Sequence, residues 1–137
     1  MCPLEENNFF TMENKSRAIL IVEDDEMVAN MYKIKLENNG WKVILAQNGQ
    51  DGLESASREK PDLILLDIIL PQVDGFAVLQ SLKEKNDLRE IPVVILTNLG
   101  TDEDVAKGRE LGAAGYIIKS EHTPSQICEE IKKYIKS

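Results

Sequence analysis

From residue 18 onward the chain alternates between two patterns. Short, mainly apolar runs occupy 18–22, 41–46, 63–66, 91–96 and 116–118, and the one at 63–66 is apolar without alternation, as in a strand covered on both faces. Between them, apolar positions recur at helical spacing. Met27, Met31, Ile34 and Leu36 mark a first helix that Asn38-Asn39-Gly40 ends. Asn48-Gly49 opens a second, reaching to near residue 59. A third starts at Asp74 and buries Phe76, Val78, Leu79 and Leu82. Thr101 caps a fourth, with Asp102, Glu103 and Asp104 in the turn where the helix dipole favours acids. Thr123-Pro124-Ser125-Gln126 has the residues of a capping box, and the helix it starts is predicted to run nearly to Ser137.

Strand and helix in alternation predict a parallel sheet with helices on both faces, doubly wound and flavodoxin-like, in the order 2-1-3-4-5. The carboxyl ends of strands one, three, four and five then open on one crevice. Residues 1–16 show neither period and are expected to form a flexible extension, in which Phe9 and Phe10 could dock and Met12 could be the biological start. Residues 17–137 form the single domain.

Length and charge narrow the picture. The 137 residues, 42% of them apolar, suffice for one core and leave no room for a second domain. Sixteen basic against 24 acidic residues give a net charge of −8, which argues against a nucleic-acid or anionic-membrane footprint. Cys2 and Cys128 are too few for a disulfide framework or a zinc site, and His122 cannot build a metal cluster alone, so a reducing, cytoplasmic setting is expected. No apolar run approaches a membrane span, because Asp67 interrupts the longest, and no secretory signal is visible.

Candidate chemistry sits at the strand ends. Glu23 and Asp24 follow the first, Asp67 the third, Thr97 the fourth and Lys119 the fifth. Any one alone would read as a helix cap, a turn residue or a solvated lysine. Asp67 is not needed for such a task, since Pro71, Asp74 and Gly75 already supply the turn and the helix start. Three converging carboxylates repel one another unless a cation lies among them, and a donor set of oxygens suits a hard ion such as Mg²⁺. Lys119 and Thr97 are then placed to donate to the outer oxygens of a phosphoryl group.

The motifs ILIVEDD, LLDIILPQVDG, VVILT and GYIIK together resemble the receiver domain of bacterial two-component response regulators, over residues 17–136. The resemblance implies Asp67 as phosphoacceptor, with Lys119 and Thr97 assisting. It implies a metal site of Glu23, Asp24, Asp67 and the backbone carbonyl of Ile69, filled by Mg²⁺. Thr97 and Tyr116 would be the switch pair, and Ile69 and Leu99 would flank the path of hydrolytic water. A sensor histidine kinase or phosphotransfer protein would supply the phosphoryl group, and a downstream protein target would receive the signal. The chain departs from the family at Ser120, where proline is usual after a lysine often joined by a cis peptide, and at Asn98, where a small residue is usual. With no sequence after the last helix, the expectation is a stand-alone receiver, monomer or weak dimer, that is not an enzyme.

Alternative readings carry their own tests. A phosphatase or phosphotransferase with an aspartyl-phosphate intermediate would want a second acid two residues after Asp67, where Ile69 stands. A flavodoxin-like cofactor binder would want a glycine- or hydroxyl-rich loop after the first strand, where this chain has four acids. A degenerate receiver, binding partners without phosphorylation, would lack one of the reactive groups.

Overall fold

The computed structural model describes residues 17–135. The extension at 1–16, with Phe9, Phe10 and Met12, lies outside the described residues, as do residues 136 and 137. Five strands, β1 (Ala18–Val22), β2 (Lys42–Ala46), β3 (Leu63–Leu66), β4 (Val93–Thr97) and β5 (Gly115–Ile118), pair in parallel in the order β2-β1-β3-β4-β5. Helices α1 (Glu26–Asn38), α2 (Gly49–Glu59), α3 (Gly75–Glu84), α4 (Asp102–Glu110) and α5 (Pro124–Ile131) connect and follow them.

The unbroken apolar runs conceal a period of two. Leu20, Val22, Ile64, Leu66, Val93 and Ile95 face one cluster with Ala56, Phe76, Val78, Leu79 and Leu82 of α2 and α3. Their neighbours Ile19, Ile21, Leu63, Leu65, Val94 and Leu96 face the opposite cluster, with Tyr32 and Leu36 of α1 and Ile127 and Ile131 of α5. Because both faces are covered, neither set can be polar, and the alternation disappears from the sequence.

The caps are those that the residue types predict. The side chains of Asp25, Asn48, Asp74, Thr101 and Thr123 each accept from a backbone N–H in the first turn of the helix they precede. At α5 the reciprocal bond from Gln126 completes the capping box.

Two expectations are corrected. The core face of α1 is Ala29, Tyr32 and Leu36, whereas Met27, Met31 and Ile34 point the other way and are 83, 39 and 59% exposed. Both sets have helical spacing, and they lie half a turn apart, so α1 is apolar on two opposite faces. The last helix stops at Ile131 rather than near Ser137. Beyond it the chain tightens, with Lys133 N–H donating to Glu130 O and Tyr134 N–H to Ile131 O, three residues back instead of four. Ser120, in the place of the usual proline, lies in a single 3₁₀ turn at Lys119–Glu121, and no cis peptide occurs among the described residues.

Candidate functional site

The ends of β1, β3, β4 and β5 converge at one rim of the sheet, and hydrogen bonds that continue the strand ladders fix the two acids that matter most. Glu23 N–H donates to Ala46 O at 3.0 Å, and Asp67 N–H donates to Val22 O at 3.1 Å. Both side chains are buried. The run of four acids after β1 is thereby divided. Glu23 turns inward and accepts from Asp25 N–H at 3.1 Å, Asp24 stays exposed at the rim, and Asp25 caps α1 by accepting from Val28 N–H at 3.1 Å. Glu26 belongs to the first turn of the helix.

Asp67 is held from both oxygens. Oδ1 accepts from Ile69 N–H at 3.0 Å, and Oδ2 accepts from the Lys119 ammonium at 2.8 Å. Gly75 keeps the loop beneath it closed: its N–H donates to Ile68 O at 3.0 Å, and a Cβ there would stand 2.5 Å from the Asp67 carbonyl oxygen. Backbone cannot yield to that contact as a side chain could, so α3 can begin this close to Asp67 only with glycine.

Lys119 bridges Asp67 and Glu23. Burial alone would lower the lysine pKa, but the hydrogen bonds to Asp67 and Glu23 outweigh it and hold the ammonium above its usual range. Burial pushes the Glu23 carboxyl up in spite of its bond to Lys119. One oxygen each from Glu23, Asp24 and Asp67 lies within 4.8 Å of the others. A single ammonium among three carboxylates leaves an excess of negative charge, and an all-oxygen donor set at this spacing fits a hard divalent ion. The side chain of Ile69 is 54% exposed, and its N–H is already committed to Asp67.

On the far side, Thr97 is buried and its Oγ1 accepts from Leu99 N–H at 3.4 Å. Tyr116 O–H donates to Leu99 O at 2.5 Å. The backbone of Leu99 therefore joins the hydroxyls of Thr97 and Tyr116, a role that no side-chain pattern announces. Burial raises the Tyr116 phenol to about 12. Asn98 is exposed and does not obstruct the Tyr116 bond.

The receiver domain pattern of response regulators matches residues 19–132. The polar-differentiation response regulator DivK of Brucella anthropi is 37% identical over 119 residues, covering 87% of this chain and 96% of that protein. The probable transcriptional regulator ycf27 of Porphyra purpurea is 33% identical over 125 residues, and there the chain spans only 50% of the relative's length. Among solved structures, the BeF₃-activated receiver domain of Klebsiella pneumoniae RstA superposes with a TM-score of 0.79 at 31% identity, over 88% of this chain and all of that one. No helix among the described residues is long and apolar enough to cross a membrane. A parallel sheet in the order 2-1-3-4-5, with this match running through nearly all of it, makes the chain a member of the response regulator receiver domain family, the phosphoacceptor signalling modules of two-component systems.

Proposed function

We propose that Asp67 accepts a phosphoryl group from a sensor histidine kinase or phosphotransfer protein and that this receiver passes the signal on by protein–protein contact. The observation that carries this is the seating of Asp67 at the crevice, with one oxygen on Lys119 and a hard-ion donor set beside it. In the transfer a carboxylate oxygen of Asp67 forms the new bond to phosphorus while the bond to the donor nitrogen breaks, and the donor histidine retains that electron pair. The Lys119 ammonium fixes the carboxylate before attack and offers N–H bonds to the phosphoryl oxygens as their charge redistributes. Glu23 holds Lys119 from the other side and so keeps it over the crevice. Mg²⁺ held by Glu23, Asp24, Asp67 and the Ile69 carbonyl would neutralise phosphoryl charge when bound.

Thr97 then donates its hydroxyl to the phosphoryl group, and the Leu99 backbone carries the change to Tyr116. The outward stripe of Met27, Met31 and Ile34 begins three residues after Asp24, and exposed Ile69 lies two residues after Asp67. An apolar surface at the mouth of the site suits docking of the phosphodonor protein. RstA, in its BeF₃-activated form, supports the use of beryllofluoride as a phosphoryl mimic here. Incubation with acetyl phosphate and Mg²⁺ should add one phosphoryl group per chain by intact mass, and an unchanged mass would refute the proposal.

A further inference from the structure

Helix α4 is attached to the sheet in an unusual way. Its sole buried residue is Gly108, in the last turn of the helix, where glycine costs stability relative to alanine. The space around it explains the choice. A Cβ at 108 would stand 2.7 Å from Ile95 Cδ1 and 3.1 and 3.2 Å from two carbons of the Tyr116 ring. The ring whose hydroxyl reaches Leu99 thus lies against the bare backbone of α4. Lys107, the neighbouring residue, holds α4 to α3 differently, its ammonium 4.7 Å from the centre of the Phe76 ring.

We propose that Gly108 is a positioning residue for the switch: its missing side chain is the seat that lets the Tyr116 ring lie inward on Leu99 with α4 closed over it. A side chain there displaces the ring or lifts the helix, because Ile95 blocks the remaining direction. The contact stands on geometry alone, while its consequence for signalling rests on the reading of Asp67 as phosphoacceptor. Thr97 and Tyr116 share the Leu99 backbone, so occupancy at Asp67 and the inward ring favour one another. Whatever disfavours the inward ring then weakens binding at Asp67, by at most the coupling between the two.

The test pairs a thermal cycle with a ligand titration. Gly108→Ala should lower Tm in the wild-type background and lower it distinctly less, or not at all, in a Tyr116→Ala background, where the ring contacts are gone and the Ile95 side-chain end can turn into the space the ring leaves. Ala106→Gly, an exposed change in the same helix, should lower Tm alike in both. Beryllofluoride with Mg²⁺, followed by calorimetry, should bind Gly108→Ala roughly fivefold more weakly than wild type. Adding Gly108→Ala to Tyr116→Ala should leave the affinity where Tyr116→Ala alone puts it. A Gly108→Ala variant that shifts Tm equally in both backgrounds, up or down, would overturn the seat. A clash in the cycle with unchanged beryllofluoride affinity would overturn its role in the switch. If the wild type takes up no beryllofluoride, the phosphoacceptor reading falls, and the thermal cycle still decides the seat.

Discussion

The Lys119 ammonium stands 2.8 Å from Asp67 Oδ2 across 52 residues of chain, and on its other side it is bonded to Glu23. Two carboxylates that would otherwise repel are bridged by one cation supplied from the turn just after the last strand. Taking it away should leave both charges half-desolvated and unpaired, at a cost of about 1–3 kcal/mol in Lys119→Met at neutral pH. The folded state binds the lysine proton more tightly than the unfolded one. Its contribution is therefore complete below the ordinary value of 10.5 and fades as pH climbs through the higher folded value. Denaturant titrations of both proteins across that range should show their stabilities converging at the alkaline end, and a gap that stays constant would contradict the bridge.

A second expectation concerns the acidic run. Asp24 is free at the rim beside Glu23 and Asp67, whereas the Asp25 side chain is committed to Val28 N–H. Mg²⁺ at a hundredfold excess over its Kd should stabilise the wild type by about 2.7 kcal/mol. Asp24→Asn should lose most of that gain, while Asp25→Asn, still a good cap, should keep it. Thermal melts with and without Mg²⁺ decide, and equal losses would show that Asp25 belongs to the site.

The fold was legible because its signals were local. Strands β1 and β3 coincide with their apolar runs at Ala18–Val22 and Leu63–Leu66, and the caps coincide with Asn48, Asp74, Thr101 and Thr123. What failed was a choice between equals. On α1 helical spacing picks out Met27, Met31 and Ile34 together with Leu36, of which only Leu36 is in the core, and passes over Ala29 and Tyr32, because spacing cannot say which of two apolar faces points inward. The convergence of Glu23, Asp24, Asp67 and Lys119 followed from topology, since parallel strands deliver their ends to one rim. The linking role of the Leu99 backbone and the fit of Gly108 against Tyr116 depend on distances between elements, which no window of sequence holds.

The outward face of α1 yields a third prediction. Ile34→Glu should leave the unfolding free energy within about 0.5 kcal/mol of wild type, because the residue is 59% exposed. If the stripe receives the phosphodonor, the rate of transfer from a phosphorylated histidine phosphotransfer protein should fall about tenfold relative to labelling by acetyl phosphate. A ratio of the two rates equal to that of wild type would remove the stripe from the docking surface.

The lifetime of the phosphorylated form gives a fourth. Ile69 and Leu99, two residues beyond Asp67 and Thr97, carry no group to orient a water in line with phosphorus. Decay should be slow in wild type and about tenfold or more faster in an Ile69→Asn, Leu99→Glu double variant, followed by mass under excess Mg²⁺. A double variant that decays no faster would show that these side chains only cover loop backbone.

The central claim is that Asp67, and no other acid of the crevice, becomes the acyl phosphate. After acetyl phosphate and Mg²⁺, borohydride reduction converts a phosphorylated aspartate to homoserine and leaves the mark in a peptide. The account predicts one such conversion, at Asp67, lost in Asp67→Asn and lost when a chelator is in excess. Conversion at Asp24 or Glu23 in the wild type, or labelling of Asp67→Asn to the wild-type level, would contradict it.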